Sequence, residues 1–335
     1  MINKIYDYIK RFIKESYKEL IIIVLVALLC FIELPYVIYT PGGIVDLNNR
    51  IEIKDSYDSK GSINMTYVTL AKPNVPNILL SKIIKNWDLE KDDNVTVGDD
   101  SVKDTLKKDK YTMQESYDNA VLVAYHLTGH DIKIKGYHNY VLYITDEAKT
   151  SIKEFDEILS INGKRVTSLE NMKEIVNSYQ ENDLLNIEVK RGKKELTTTA
   201  KVYKTEDGLK IGVVIATNID YEANPKIEIK TKSSESGPSG GAMMALAIYN
   251  QLTKDDITKG KVISGTGTID KDGKIGEIGG VKYKLMGAVK KNSDIFICPK
   301  ENYEEALKVA KDFNYDIKII TGENLEEIIQ ILNSL

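Results

Sequence analysis

One uncharged apolar run near the start of the chain constrains its architecture more than any other feature. Residues 20–32 read LIIIVLVALLCFI, and beyond Glu33 the apolar pattern resumes through Tyr39. The combined segment has about the 20 residues that a helix needs to cross a bilayer. Because no small-residue cleavage site follows the run, we expect a transmembrane anchor over residues 20–39 rather than a removed signal peptide. A buried core helix is the alternative interpretation.

The flank that precedes this run is rich in positive charge. Its basic residues are Lys4, Lys10, Arg11, Lys14 and Lys18. Since the cytoplasmic flanks of membrane helices carry such an excess, residues 1–19 are predicted to lie in the cytoplasm and the chain beyond residue 39 outside it. The sequence thus predicts a single-pass protein of the cell membrane with an extracytoplasmic main body.

The remaining composition excludes several function classes. The 335 residues carry 46 Lys and Arg against 50 Asp and Glu, so no basic surface for nucleic acid is expected. Cys30 and Cys298 are too few for a disulfide framework or a thiolate metal cluster. His126 and His130 lie four residues apart near the end of a predicted helix over residues 113–127. The glutamate that zinc peptidases carry after the first histidine is absent, so no metal site is predicted.

A strand-rich module follows an α/β region over residues 40–130 whose sequence points to no chemistry. Val141–Thr145 is a predicted strand, and Glu154–Val166 contains a strand that ends in an Asn162-Gly163 hairpin turn. Thr167 and Glu170 form a capping pair before a predicted helix over residues 169–179. Two further strands, 185–189 and 196–202, flank the turn at residues 191–193.

This order of elements, with the phrase FDEILSINGKRV and the later VKRG, resembles a PDZ domain of bacterial envelope proteases. Such domains bind an extended peptide as an added strand against a sheet edge. The resemblance implies a groove between that edge and the helix, with the candidate peptide-binding residues Val141, Leu142, Tyr143, Ile144, Met172 and Val176. A packing module without a ligand is the alternative interpretation.

The most specific pattern is a serine surrounded by small residues, ESGPSGGA at 235–242, before an apolar helical stretch to residue 252. Glycine and proline let the backbone approach a substrate closely, and free N–H groups at a helix start stabilise a developing oxyanion. The same features also suit a phosphate. A serine nucleophile needs a base, and no histidine follows residue 138. A lysine in GGVKYK (279–284) can serve if burial lowers its pKa by about three units.

GPSGG (237–241), VISGTGTI (262–269) and GGVKYK (279–284) are together similar to the proteolytic domain of Lon-type peptidases, over about residues 205–335. The resemblance implies that Ser239 is the nucleophile and Lys284 the base, with Ser264 in place of the family's threonine that hydrogen-bonds the lysine. Gly237, Pro238 and Gly240 would support the oxyanion and the dyad, Gly240 standing where an alanine is usual. Lys282 is the alternative base, but two residues along a helix place it on a nearly opposite face.

The whole chain therefore looks like the membrane-anchored, PDZ-containing Lon-like proteases of Gram-positive bacteria. The predicted fold class is α+β multidomain, with a cytoplasmic segment (1–19), a transmembrane anchor (20–39), an α/β region (40–130), a PDZ-like domain (131–204) and a Lon-type proteolytic domain (205–335). No G-x-x-x-x-G-K-[ST] sequence occurs, so the expected activity is an ATP-independent serine endopeptidase that uses no nucleotide or other cofactor and cleaves extracytoplasmic peptides or flexible protein segments.

Two other functions fit parts of the pattern. A membrane-tethered peptide receptor would use the PDZ-like groove while the Lon-like domain stays inactive. A small-molecule kinase would use GPSGG as a phosphate loop, but no accompanying nucleotide motif supports it.

Overall fold

A computed structural model describes residues 2–91 and 101–335. The helices of this part are α1 (Ile2–Glu15), α2 (Tyr17–Phe31), α3 (Val75–Ser81), α4 (Val102–Leu127), α5 (Leu169–Asn177), α6 (Gly241–Leu252), α7 (Val281–Lys290), α8 (Tyr303–Asp312) and α9 (Leu325–Ser334). The strands are β1 (Tyr36–Asp46), β2 (Ile51–Ile53), β3 (Ser62–Ala71), β4 (Asp88–Lys91), β5 (Asp131–Ile144), β6 (Glu157–Ile161), β7 (Lys164–Arg165), β8 (Leu184–Arg191), β9 (Lys194–Lys201), β10 (Tyr203–Thr205), β11 (Gly208–Lys210), β12 (Val213–Asn224), β13 (Ile227–Ile229), β14 (Val262–Gly265), β15 (Thr268–Ile269), β16 (Ile275–Gly276), β17 (Ile295–Pro299) and β18 (Lys318–Gly322).

The chain forms two compact units. The first comprises Met1–Gly42 and Val68–Val102, and the second comprises Gly43–Tyr67 and Lys103–Leu335. Strands β1 and β3 each run through a boundary between the units. All candidate site residues named above belong to the second unit.

The first unit shows that the predicted transmembrane anchor over residues 20–39 is wrong. Helix α2 has 15 residues, or about 22 Å at 1.5 Å per residue, and ends at Phe31. Tyr36–Tyr39 instead form the start of β1, which pairs with β4. Within residues 2–91 and 101–335, every helix is too short or too polar for a membrane span. Pro35 explains the break, because it cannot continue a helix and biases the residue before it towards extended backbone, and the Tyr-Val-Ile-Tyr run favours a strand.

The second unit contains a parallel sheet in the order β18, β17, β14, β3. All five residues of β17 are buried, as is typical of a parallel strand covered on both faces. Helix α6 is buried on nearly all sides and shares one hydrophobic cluster with Ile63 of β3 and with Met113 and Tyr117 of α4. This core therefore joins parts of the chain that the sequence assigned to two regions, 40–130 and 205–335.

A long antiparallel hairpin carries the strand-rich module. Strand β5 pairs with β12 from Asp131 opposite Asn224 to Ile144 opposite Val213. Together with the strands between them, β5 and β12 form a sheet in the order β12, β5, β6, β8, β9, which has its own hydrophobic cluster against α5. The module is thus inserted into a hairpin of the surrounding unit.

Two local predictions for this module have different outcomes. The Asn162-Gly163 turn is confirmed, because both residues have positive φ, +47° and +76°, and join β6 to β7. The cap of α5 is one residue later than predicted. Ser168, not Thr167, accepts the hydrogen bond from Asn171 N at 3.1 Å, while Thr167 N donates to Asn171 Oδ1 at 3.0 Å. The Asn171 side chain thus returns to Thr167, one residue before the cap, and not to the cap residue Ser168 as in a capping box.

Helix α4 supports strand β12 through two carboxylates, of which Asp118 is buried and Glu115 is half-buried. Glu115 Oε1 accepts a hydrogen bond from Thr217 N at 2.9 Å, and Asp118 Oδ2 accepts one from Ile219 N at 2.8 Å. Burial raises the pKa of both carboxyl groups to about 6, and each hydrogen bond opposes that rise only in part. The middle of β12 therefore has two of its backbone N–H groups satisfied by a helix rather than by another strand.

We predict that Glu115→Gln stabilises the protein at alkaline pH. The pKa of Glu115 is about 6 in the folded chain, against an ordinary value of 4.5, so protonation of this group favours the native state. That contribution to stability is complete below about pH 4 and is lost as the pH rises through about 6. The Gln amide oxygen can still accept the Thr217 N–H without placing a charge in this half-buried position. Urea unfolding should therefore show a gain of up to about 2 kcal/mol at pH 8 and nearly none at pH 4.

The exposed residue Glu181 provides a control, since Glu181→Gln should change stability at neither pH. A gain for Glu115→Gln that is equal at both pH values would contradict the role assigned to the Glu115 carboxylate.

Candidate active site

A tight turn before α6 presents Ser239. Gly237 has φ +92°, a conformation that favours glycine, and Pro238–Gly240 form a short 3-10 turn that leads directly into the helix. Ser239 is partly exposed, whereas Gly240 behind it is buried. The serine therefore stands at the N-terminal end of a buried helix, as the sequence predicts.

Two groups hold the backbone carbonyl of Ser239. Gly267 N donates to Ser239 O at 2.8 Å, and Thr266 Oγ1 donates to the same oxygen at 3.0 Å. Thr266 directly follows β14, and its own N–H is bonded to Ile297 O of β17. The position of the serine is thus tied to the central parallel sheet.

Lys284 lies in the first turns of α7 and is buried, with 4% of its surface exposed. Gly280, at φ +70°, caps this helix in the left-handed region. Burial lowers the pKa of Lys284 to about 8, and none of the described carboxylates forms a salt bridge with it. Lys282, by contrast, is only partly buried, and its Nζ lies 5.3 Å from the ring centroid of Tyr283.

Thr266 connects the lysine to the serine. Lys284 Nζ donates to Thr266 Oγ1 at 3.1 Å. Because a hydroxyl has one proton, and Thr266 gives that proton to Ser239 O, the threonine acts towards Lys284 as an acceptor. The amine thereby keeps its lone pair, when neutral, for another partner.

The hydroxyl predicted to contact the lysine is therefore the wrong one. Ser264 is fully buried in β14, and its Oγ pairs with Ser293 Oγ at 2.7 Å. Thr266, two residues later in VISGTGTI, is the residue that touches Lys284. The sequence did contain a signal for the correct residue. The resemblance implies a threonine that contacts the lysine, and residue 266 is a threonine whereas residue 264 is a serine.

Close packing explains the glycines that follow the serine. A Cβ at Gly240 would lie 2.9 Å from Met65 Sδ, which accounts for glycine where the resemblance has alanine. A Cβ at Gly241 would lie 2.0 Å from Ser116 Oγ of α4. The start of α6 is thus pressed against α4 with no room for a side chain.

The segment before the turn is fixed by an ion pair. Arg50 Nη2 contacts Glu235 Oε1 at 2.6 Å, and both side chains are largely buried. Glu235 Oε2 also accepts a hydrogen bond from Lys232 N at 2.9 Å. Glu235 therefore anchors the chain just ahead of the Ser236–Gly240 turn.

The predicted peptide-binding edge is an interior strand. Val141, Tyr143 and Ile144 pair with Ile215, Val214 and Val213 of β12. On its other side, Val141 exchanges backbone hydrogen bonds with the Phe155–Asp156 segment, and Val141 and Leu142 are buried. The edge prediction is therefore wrong, because β12 returns to cover this strand from a distant part of the chain.

The outer strand beside α5 is β12 instead. Met172 and Val176 of α5 are buried in the same cluster as Ile215 of β12, and α5 contacts both β11 and β12. Gly212, at φ +75°, precedes the strand, and a Cβ there would lie 2.4 Å from Ala148 Cβ. Sequence reasoning missed this edge, although the Gly212 turn followed by Val213–Ile215 has the pattern of a strand start.

Two segments of the chain match known domain families. Residues 223–334 match the model of the Lon protease (S16) C-terminal proteolytic domain, and residues 137–202 match that of the PDZ domain. The chain is 32% identical over 95 residues to a Lon protease of Trichlorobacter lovleyi. This alignment covers 28% of this chain and 11% of the relative. It is 24% identical over 310 residues to the Lon protease of Aster yellows witches'-broom phytoplasma, covering 88% of this chain and 37% of the relative.

Among solved structures, the PDZ domain of an SdrC-like protein from Listeria monocytogenes aligns with 25% of this chain and 92% of its own length, at 22% identity and a TM-score of 0.23. The chain spans between about a tenth and two fifths of the length of the two Lon proteases. The PDZ match covers the strand-rich module that contains α5, and the Lon match covers Ser239, Thr266 and Lys284. Residues 137–202 are therefore a PDZ domain, and residues 223–334 are a Lon-type C-terminal proteolytic domain.

Proposed function

We propose that this chain is a serine endopeptidase in which Ser239 is the nucleophile and Lys284 the general base. The observation that carries this proposal is the buried lysine with a pKa of about 8, hydrogen-bonded to the same threonine that holds Ser239 O. At pH 7 about one tenth of such a lysine is neutral, against less than one in a thousand of an ordinary lysine. The match to a Lon proteolytic domain supports the same chemistry.

The proposed reaction has two halves. Neutral Lys284 takes the proton of Ser239 Oγ as that oxygen attacks the peptide carbonyl carbon, and the N–H groups at the start of α6 stabilise the oxyanion. The resulting ammonium gives its proton to the leaving amine, which leaves an acyl ester on Ser239. Water then attacks the ester with Lys284 again as base, and the serine regains its proton.

The proposed substrates are extended peptides or flexible protein segments. An extended chain can add to the free part of an edge strand by backbone hydrogen bonds, and β12 before Thr217 offers that edge beside α5. The 335 residues contain no P-loop, so we propose that cleavage by this chain needs no ATP. The extracytoplasmic location stays a prediction.

We predict that Lys284→Ala and Ser239→Ala each abolish cleavage. Removal of the base should lower kcat/KM by about 1000-fold on an unfolded protein or a peptide library, in EDTA and without ATP. Lys282→Ala is the matched control, since this lysine lies on the same helix but outside the Thr266 contact, and it should keep near wild-type activity. Peptide capture without Ser239-dependent cleavage would support the receptor function instead.

The rate should rise with pH. Because Lys284 must be neutral to act as a base, kcat/KM is expected to increase through an apparent pKa of about 8 and to level off above it. A profile from pH 5.5 to pH 9.5 with a non-ionising peptide measures this, and a rate that is flat or falls across about pH 7 to 9 would exclude a lysine base.

Thr266→Val should impair both members of the dyad. The variant removes the donor to Ser239 O and the acceptor for Lys284 Nζ, so we expect kcat to fall by about 100-fold. Loss of that acceptor destabilises the ammonium, so the midpoint of the pH profile should move to lower pH.

Thr266→Ser keeps the hydroxyl and should stay near wild type. Ser264→Ala is the control, because its hydroxyl pairs with Ser293 and not with the lysine. A loss of kcat in Ser264→Ala equal to that in Thr266→Val would refute the role assigned to Thr266.

A further inference from the structure

The turn that carries Ser239 is held by two separate parts of the chain. On one side Thr266 and Gly267 bind the carbonyl of Ser239. On the other side Asp109 O of α4 accepts the N–H of Gly237 at 3.0 Å, and Ser116 Oγ of α4 donates to Pro238 O at 2.8 Å. The contacts from α4 play no part in the proton transfers proposed above.

We propose that Ser116 is a positioning residue that holds the nucleophile turn in its reactive conformation. This inference rests on the proposed peptidase function. Pro238 has no N–H, so its backbone can be hydrogen-bonded only through its carbonyl. That carbonyl accepts from Gly241 N within the turn and from Ser116 Oγ outside it. The Ser116 bond therefore fixes the residue immediately before the nucleophile to a separate helix.

The surroundings of Ser116 make this bond hard to replace. Ser116 is 3% exposed, so its hydroxyl makes this bond in the interior of the protein. Its Oγ fills the space that a Cβ at Gly241 would need, only 2.0 Å away. The hydroxyl is thus both the donor and the packing partner of the turn.

Helix α4 is itself anchored on both sides of Ser116. The neighbouring residue Glu115 accepts Thr217 N of β12, and Asp118 accepts Ile219 N. Tyr117 is 3% exposed and belongs to the main hydrophobic cluster. Because its support does not depend on the turn, α4 can act as a fixed platform against which Ser116 sets Pro238 and hence Ser239.

Ser116→Ala tests the proposal through kinetics. We expect kcat on a peptide substrate to fall by about 10- to 100-fold while KM stays within about twofold, since Ser116 is buried and cannot touch substrate. Labelling of Ser239 by a fluorophosphonate should slow by a similar factor. The pH midpoint should stay at the wild-type value, because Ser116 has no contact with Lys284.

Thr128→Ala is the matched control. Thr128 sits just past the end of α4 and donates to Ala124 O at 2.8 Å, so its loss removes a hydroxyl bond of the same helix without affecting the turn. It should leave kcat unchanged. An equal loss of kcat in both variants, or a rise in KM that accounts for the whole loss in Ser116→Ala, would overturn the positioning role.

Amide hydrogen exchange separates this proposal from the peptidase function. In Ser116→Ala we expect faster exchange confined to the Gly237–Gly241 turn, with the rest of the second unit as in the wild type. Unchanged exchange in the turn, or a general increase that Thr128→Ala shares, would refute the proposal whether or not the protein cleaves peptides. Cleavage that persists in Ser239→Ala would instead refute the proposed function, and the exchange result would still decide the role of Ser116.

Discussion

The burial of one lysine ammonium is the constraint on which the candidate site depends. Taking the Lys284 charge out of water disfavours its protonated form, and the structure places none of the described carboxylates in a salt bridge that would restore it. What Lys284 has instead is a neutral acceptor, Thr266. A carboxylate in place of that hydroxyl would hold the lysine charged and remove its ability to accept a proton, so the chemistry depends on which neighbour the fold supplies.

Thr266 also determines where the serine stands. Its hydroxyl and the N–H of Gly267 both bind Ser239 O, and its own N–H is bonded to Ile297 O in the parallel sheet. Helix α4 adds a second support through Ser116 and Asp109. The same helix binds β12, the outer strand beside α5, so one element supports both the nucleophile turn and the strand proposed as the peptide-binding edge.

Much of the site was predictable because its parts are local. Ser239 in a Gly-Pro-Ser-Gly-Gly turn and Lys284 behind two glycines depend on residues within a few positions of each other. The assignment of Ser264 failed because the sequence does not show where β14 ends. The strand ends at Gly265, so Ser264 lies inside it and Thr266, which contacts Lys284, lies just beyond it. The anchor over residues 20–39 failed because hydrophobicity alone joined α2 to a segment that pairs as a strand with β4.

By itself the sequence determined the local elements: the nucleophile turn, the lysine-bearing helix and the Asn162-Gly163 hairpin, each specified by glycine, proline or periodic apolar residues at short range. The tertiary structure alone decided that Thr266 joins the lysine to the serine, that β12 covers β5, and that Ser116 reaches Pro238. These contacts link residues separated by up to about 120 positions. Long-range pairing of this kind follows from how layers pack around a shared core, and no short-range pattern encodes it.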